Sequence, residues 1–254
     1  MLEDIIDVAK RAGEILKEGY FSKKEIFYKG KVDLVTKYDI KIDAFLKYEL
    51  SDKYPDFSII AEESGVSEKD RDKAIYIDPI DGTTNFVHSI PFCCISIGVW
   101  IEGEPFIGVV YNPILEELFY AKKDFGAFLN GEEIRVSEVG DSYKALLATG
   151  FPYTKVEMGE DFRWVISSME KLLPKTRDIR RLGSAALDLC YVARGSFDAF
   201  YECNLKPWDV AGGICILREA GGKVSNEKGE EYRLSDHIIV ASNGRIHDFM
   251  IENL

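Results

Sequence analysis

The order of apolar patterns along the 254-residue chain predicts a layered protein of the α/β (α+β) class. Two helical periodicities open the chain, a β-rich stretch occupies its middle, and helical and strand-like patterns then alternate to its end. Helices and sheets that each have one apolar face bury it by stacking in layers. With 46% hydrophobic and 30% charged residues, a chain of this length can build such a core without cross-links.

The first third is predicted to contain two helices. Apolar residues recur at helical spacing over residues 5–20, and again over 42–50, where the helix must stop before Pro55. Between the two, Lys29-Gly30-Lys31 predicts a short basic loop.

Strands are predicted in the middle of the chain, with turn signals such as Glu102-Gly103 and Asn130-Gly131 between them. The predicted strands are 58–61, 74–78, 93–101, 106–112, 117–121 and 145–149. The last third is predicted to form helices over 160–173, 184–194 and 209–220, strands near 198–202 and 238–241, and a final helix. No linker or repeat is visible, so we expect one domain over residues 1–254, with halves at 1–145 and 146–254.

Charge and composition exclude several functions. A formal net charge of −12 argues against nucleic acid as the primary ligand, because phosphate backbones are bound by basic surfaces. The longest apolar run, residues 93–101, is far shorter than the roughly 20 residues that cross a bilayer. No secretory signal is recognisable, and five cysteines without a CxxC pattern predict a reduced, cytoplasmic protein. Serine-hydrolase, P-loop and zinc motifs are missing from the sequence.

The segment 74–86 carries the chemistry. An apolar strand delivers two carboxylates, Asp78 and Asp81, with only two residues between them. Pro79 predicts a strand that ends in a rigid turn, which directs both carboxylates into one space. Such a pair is costly unless a cation neutralises it, and oxygen ligands favour Mg²⁺ or Mn²⁺ over zinc. The backbone N–H groups of Gly82-Thr83 can receive an anion if a helix begins there. With 44 acidic residues in the chain, the same spacing also fits a turn of solvated acids, so this segment alone leaves both interpretations open.

Three further segments favour a site. Segment 59–64 is a second strand that runs into an acid, Glu62. Asp209 lies where a very apolar helix is predicted to begin, a position that capping alone would also favour. Segment 31–39 places polar residues, ending at Asp39, in an apolar context before a helix.

Together with Gly183-Ser184-Ala185-Ala186-Leu187-Asp188-Leu189, these motifs resemble those of the inositol monophosphatase family, in order and spacing, over nearly the whole chain. That family belongs to a superfamily of metal-dependent, lithium-sensitive phosphatases that includes fructose-1,6-bisphosphatase. The resemblance implies an αβαβα sandwich of the sugar-phosphatase type, with a metal-binding half (1–145) and a substrate-binding half (146–254). It also implies a homodimer, as tetramers are rarer in the family.

The resemblance implies a site for two or three Mg²⁺ ions, for which Mn²⁺ can substitute. One ion would be held by Glu62, Asp78 and the backbone carbonyl of Ile80. A second would be held by Asp78, Asp81 and Asp209, and a third, weaker one would lie near Glu62. The family has a glycine where this chain has Ala61, a change that should leave Glu62 in place.

The implied reaction is hydrolysis of inositol 1-phosphate or a related sugar or polyol phosphate, a small phosphate monoester, by a metal-activated water. Thr83, linked to Asp39, and Glu62 would orient and deprotonate that water. The implied substrate-binding residues are the backbone N–H groups of Gly82 and Thr83 for phosphate, and Ala185, Glu202 and Asp209 for the alcohol part.

Alternatives remain open within and beyond this family. Arg180-Arg181 fits either a surface pair at a helix start or an anchor for a second phosphate, so fructose-1,6-bisphosphatase, alone or as a second activity, is the first alternative. Lys29 or Lys31 would lie near the third metal. A haloacid-dehalogenase phosphatase is disfavoured, because its two acids are separated by one residue. A regulatory protein on the same scaffold also remains open.

Overall fold

A computed structural model of the chain describes residues 1–28, 34–67 and 72–254. The predicted basic loop, with Lys29 and Lys31, lies outside the described residues. Helices α1 to α7 are Leu2–Tyr20, Lys37–Lys53, Thr83–Val87, Glu160–Leu172, Ala185–Ala193, Pro207–Glu219 and His247–Asn253. Strands β1 to β15 are Ile26–Tyr28, Leu34–Thr36, Ser58–Ala61, Gly65–Ser67, Lys73–Asp81, Cys94–Ile101, Glu104–Asn112, Glu117–Lys122, Gly126–Leu129, Glu132–Ile134, Leu146–Thr149, Asp178–Arg180, Ala199–Cys203, Lys223–Ser225 and Ile238–Ser242.

The main elements stack in five layers. An eight-stranded sheet has the order β10-β9-β8-β7-β6-β5-β3-β4, and a five-stranded sheet has the order β12-β11-β13-β15-β14. Helices α1 and α2 cover the outer face of the larger sheet, α5 and α6 lie between the two sheets, and α4 and α7 cover the far face of the smaller sheet. The expected αβαβα sandwich is therefore confirmed.

The central layer is apolar on all sides, as a helix between two sheets must be. In α6, every residue from 210 to 217 is buried. Two paired glycines, Gly98 on β6 and Gly108 on β7, face this helix. A Cβ at Gly98 would lie 2.6 Å from the Cβ of Ala211, so the glycines allow α6 to lie directly on the sheet.

The long elements agree with the sequence prediction, and so do two hairpin turns. Glu102-Gly103 joins β6 to β7 and Asn130-Gly131 joins β9 to β10, with positive φ at all four residues. This is the backbone of a two-residue turn that matches the twist of paired strands. All five cysteines are buried and unpaired, as predicted.

One strand differs from its prediction. The sequence predicted that β5 would end at Asp78, but the strand continues through Pro79 to Asp81. Asp78 pairs with Ser96 and Asp81 with Cys94, so two residues of β5 oppose only Ile95. Pro79 has no N–H group for the ladder, and the chain accommodates it as a β-bulge instead of ending the strand.

The sequence did not predict the shortest strands. These are β1, β2, β4, β9, β10, β12 and β14, each of three or four residues. Segments this short show no alternating pattern of period two, and the two strands of four residues that were predicted, β3 and β11, each contain a continuous apolar run. Among the described residues, no helix is both long and apolar enough to cross a bilayer.

Candidate active site

Five elements converge on a cavity of about 460 Å³ at one end of the two sheets. These elements are the turn after β3, the end of β5 with the start of α3, the start of α5, the end of β13 and the start of α6. The cavity lining includes nine of the residues singled out from the sequence: Glu62, Asp78, Ile80, Asp81, Gly82, Thr83, Ala185, Glu202 and Asp209. Asp39 is fully buried and lies behind Thr83.

The bulge of β5 places the first pair of carboxylates. The backbone N–H of Ile80 donates to Asp78 Oδ1 at 3.0 Å, which closes the turn around Pro79. Burial raises the pKa of Asp78 well above its usual range, and the negative charges of Glu62 and Asp81 raise it further. Asp78 therefore lies at the centre of the acidic cluster.

Asp81 is oriented by the start of α5. Its Oδ2 accepts hydrogen bonds from Ser184 Oγ at 2.6 Å and from the backbone N–H of Ala186 at 2.7 Å. Burial raises the pKa of Asp81 to about 6, although the Ser184 hydroxyl works in the opposite direction. Ser184 also caps α5 by accepting from the Leu187 N–H, so one side chain fixes both a helix start and a carboxylate.

Asp209 is the third residue of α6. Its Oδ2 accepts from the backbone N–H of Lys206 at 2.7 Å, which is the capping role that the sequence left open. Burial raises the pKa of Asp209 well above its usual range, and the charges of Asp81 and Glu62 act in the same direction. Asp209 therefore caps its helix and also belongs to the acidic cluster.

Thr83 connects the cavity to the start of α2. Its hydroxyl lies 3.1 Å from Asp39 Oδ1 and 3.0 Å from the carbonyl oxygen of Ile80. The other oxygen of Asp39 accepts from the backbone N–H and the hydroxyl of Thr36, at 2.7 and 2.6 Å. Burial raises the pKa of Asp39, while these hydrogen bonds lower it. The capping box of α2 thus holds the residue behind Thr83.

The opposite wall of the cavity contains Glu202 and a cationic neighbour. Burial raises the pKa of Glu202 to about 8, although the charge of Arg181 lowers it. The guanidinium of Arg181 lies 5.2 Å from the centre of the Phe151 ring and lines the cavity. Arg180 instead forms an exposed ion pair with Asp178 at 2.5 Å.

The acidic residues match a divalent cation in donor type and charge. Within residues 1–28, 34–67 and 72–254, no group of three or more His, Cys, Asp or Glu side chains is positioned to hold a metal ion. The carboxylates of Asp78, Asp81 and Asp209 are held by hydrogen bonds to protein donors. The ligand atoms that these side chains offer to a metal are all oxygens, and each carboxylate raises the pKa of a neighbouring group. A hard cation would therefore relieve the repulsion between their negative charges.

Sequence reasoning missed two features of this cavity and one buried carboxylate of α5. Ser184 was recognised as a helix start, but its bond to Asp81 has no sequence signal. Arg181 lines the cavity whereas Arg180 pairs with Asp178, and their adjacent positions in the sequence do not distinguish the two. Asp188, on α5, is 1% exposed, and its Oδ1 has no hydrogen-bond partner among the described residues. A charged residue in an otherwise apolar helix was the signal that could have identified it.

Comparisons with known proteins identify the family and the fold. A family model described as the inositol monophosphatase family matches residues 1–254. Inositol monophosphatase 3 of Solanum lycopersicum is 43% identical over 258 residues, which covers 100% of this chain and 96% of the relative. Extragenic suppressor protein suhB from Bartonella henselae has a similar structure, with a TM-score of 0.93, 35% identity and coverage of 99% and 96%. Inositol monophosphatase from Anabaena (Nostoc) sp. PCC 7120 matches with a TM-score of 0.90, 36% identity and coverage of 99% and 94%.

Proposed function

Because this chain belongs to the inositol monophosphatase family, and is therefore a phosphoric monoester hydrolase, we propose that its substrate is inositol 1-phosphate or a related sugar or polyol phosphate. One observation carries this proposal: Glu62, Asp78, Asp81 and Asp209 line a single cavity together with Glu202. A volume of about 460 Å³ is suitable for one small phosphorylated polyol.

The family is generally dependent on Mg²⁺, and the acidic cluster is where we propose that two or three ions bind. Glu62, Asp78 and the Ile80 carbonyl would hold one ion, and Asp78, Asp81 and Asp209 would hold another. A third would lie near Glu62, and Mn²⁺ would substitute for Mg²⁺. The cations lower the pKa of a water molecule and offset the charge of the phosphate group.

The protein's own groups would then orient the reactants. The N–H groups of Gly82 and Thr83 bind phosphate oxygens, because the left-handed conformation of Gly82, with φ of 90°, starts α3 next to the acidic cluster. The Thr83 hydroxyl, supported by Asp39, orients the attacking water, and Glu62 accepts its proton. A new P–O bond would form to the water oxygen as the bond to the alcohol oxygen breaks. A second water molecule would give a proton to the leaving alkoxide and regain one from Glu62, which closes the proton balance.

The alcohol end of the substrate would be bound by the opposite wall. Glu202, near the end of β13, and Asp209, at the start of α6, line the same cavity as Ala185. A pKa of about 8 means that Glu202 can hold a proton near neutral pH and then donate as well as accept hydrogen bonds with hydroxyl groups.

A phosphate-release assay tests the proposal directly. We expect the protein to hydrolyse inositol 1-phosphate with Mg²⁺ and not after chelation, and lithium to inhibit it. Asp81→Asn and Asp209→Asn should each lower kcat/KM by at least about a hundredfold, because each removes a charge from the cation site. Both variants should keep the fold, because an amide oxygen can accept the same N–H and O–H bonds. Near wild-type activity in either variant would contradict the proposed site.

The surroundings of Arg181 favour a second candidate, fructose-1,6-bisphosphatase activity. Arg181 lines the cavity together with Glu202. The pKa of Lys155 is lowered mainly by burial and further by the positive charge of Arg181. Arg181 provides a cationic anchor for a second phosphate group at the alcohol end of the cavity.

Paired arginine variants distinguish the two candidates. Arg181→Ala should lower kcat/KM for fructose 1,6-bisphosphate by about tenfold or more, because a charged hydrogen bond is lost, and should affect inositol 1-phosphate much less. Arg180→Ala is the matched control, since Arg180 pairs outward with Asp178. An equal loss of kcat/KM for both substrates would contradict the role of Arg181 as an anchor for a second phosphate group.

We also propose that the two halves of the chain have different roles, one mainly in metal binding and the other in substrate binding, and that the protein forms a homodimer. Residues 1–145 supply Glu62, Asp78 and Asp81, whereas residues 146–254 supply Ala185 and Glu202. Asp209, from the second half, would serve both cation and substrate. Light scattering coupled to size-exclusion chromatography would give the mass of the assembly, with a monomer contradicting the dimer.

A further inference from the structure

Asp161, near the start of α4, joins segments that are distant in sequence. Its carboxylate is 18% exposed, and Oδ1 lies 2.7 Å from Nε2 of His237. Its Oδ2 accepts from the Thr154 hydroxyl at 3.1 Å and from the Asn204 amide at 3.2 Å. The carbonyl oxygen of Asp161 accepts a weak bond from the Cys203 thiol. One residue therefore connects α4, the turn before it, the turn after β13 and the start of β15.

Two of these segments line the proposed active site. Thr154 and Asn204 both line the cavity. The turn that contains Asn204 connects Glu202 to Asp209, which are the two carboxylates proposed to contact the alcohol part of the substrate. Glu202 comes directly before this turn, so the position of the turn affects where the Glu202 carboxylate lies.

Asn204 needs outside support to keep its conformation. Its φ of 62° is in the left-handed region, which non-glycine residues adopt at an energetic cost. Its N–H donates to the His237 carbonyl at 2.7 Å, and its side chain binds Asp161 and the Lys206 amino group. Because the His237 side chain is itself bonded to Asp161, two of these three partners of Asn204 involve the Asp161 carboxylate.

We propose that Asp161 is a positioning residue that holds the polyol-binding wall of the cavity, a role that rests on the proposed function. It joins the 153–157 and 203–206 segments, whereas residues 78–83, proposed to bind phosphate and cation, come from the other sheet. The loss of Asp161 should therefore weaken recognition of the alcohol group more than it slows the chemical step.

Comparing two substrates tests this role. For inositol 1-phosphate, Asp161→Ala should raise KM by about tenfold, the equivalent of one or two lost hydrogen bonds, with kcat changed by no more than about twofold. For 4-nitrophenyl phosphate, whose leaving group has no hydroxyl neighbours, both constants should stay within about twofold. Asp161→Asn keeps one acceptor oxygen and should give an intermediate KM, and it replaces the alanine variant if that variant does not fold.

The matched control is Glu160→Gln, which removes a charge from the exposed preceding residue of the same helix. Hydrogen exchange provides a second measurement that does not need activity: amides of 153–157 and 203–206 should exchange faster in Asp161→Ala and not in the control. Equal losses for both substrates, or unchanged exchange at these amides, would overturn the proposal. If the wild-type protein hydrolyses neither substrate, the proposed function fails, and exchange alone decides the positioning role.

Discussion

Gly150 and Glu202 show how a missing side chain makes room for a functional one. The Glu202 carboxylate lies directly against the Cα of Gly150, so a Cβ at that position would collide with both of its oxygens. The atoms that would have to move are the end of a flexible side chain, not the backbone. A methyl group at Gly150 should therefore shift the carboxylate and leave the fold largely intact.

We predict that Gly150→Ala raises KM for a polyol phosphate by about tenfold, because the displaced carboxylate loses hydrogen bonds to the substrate. The melting temperature should change by only a few degrees. Gly140→Ala is the control, since a Cβ there has no neighbour within 4 Å and the residue has no positive φ. Unchanged kinetics in Gly150→Ala, measured against the same substrate, would mean that Glu202 does not contact the alcohol group.

At the scale of single residues, the sequence predicted which residues belong to the site better than it predicted what those residues contact. Asp78 and Asp81 were found because a strand and a proline surround them. The hydrogen bond from Ser184 to Asp81 joins residues 103 positions apart, so no local pattern contains it. Likewise, the contrast between Arg180 and Arg181 depends on which one faces the cavity, and that is decided by tertiary packing.

Among the elements, the contact between α6 and the larger sheet is the closest fit. A Cβ at Gly108 would collide with the carbonyl oxygen of Gly212 and would lie 2.9 Å from the Cβ of Cys215. The first of these atoms belongs to the helix backbone and cannot move by rotation of a side chain. Since α6 carries Asp209 at its first turn, any shift of the helix also moves a proposed cation ligand.

We predict that Gly108→Ala destabilises the protein by about 1–3 kcal/mol, the usual cost of overpacking a filled core. Urea unfolding followed by circular dichroism would measure this change, with Gly140→Ala again as the control. The metal concentration needed for half-maximal activity should also rise, because Asp209 moves with the helix. A Gly108→Ala protein as stable as wild type would show that the helix can move away from the sheet at little cost.

Long elements were predictable because their patterns repeat several times. The amphipathic pattern of α1 runs through 19 residues, and its bounds agree with the prediction to within a few positions. The end of β5 was predicted wrongly, because Pro79 was taken as a stop for the strand. A proline inside a strand can also be accommodated by a bulge, and the choice depends on the neighbouring strand β6.

Across the whole molecule, the acids come together only through the fold. Glu62, Asp81 and Glu202 come from three parts of the chain, and composition alone gives no reason for them to meet. Their grouping was predicted because the motifs around them resemble a known family. The physical consequence, a buried cluster of like charges, can be tested without reference to a family.

This cluster links stability to pH with a definite sign. Burial raises the pKa of Glu202 from 4.5 to about 8 and that of Asp81 from 3.8 to about 6. At these two carboxyl groups the folded protein therefore binds more protons than the unfolded chain between roughly pH 4 and 8. Since stability falls with pH wherever the native state holds the extra protons, the contribution of these groups is complete below about pH 4 and is lost as pH rises towards 8.

We predict that the metal-free protein unfolds at a lower temperature at pH 8 than at pH 6, and that Mg²⁺ raises this temperature more at pH 8. The cation binds the folded state and competes with protons for the same carboxylates, so its stabilising effect grows as they ionise. Calorimetry with EDTA or with Mg²⁺ at both pH values measures the two effects. Glu202→Gln is the matched variant: it removes the group that titrates near pH 8, so the metal-free difference between pH 6 and 8 should shrink. A larger Mg²⁺ effect at pH 6 would contradict a cation site built from these acids.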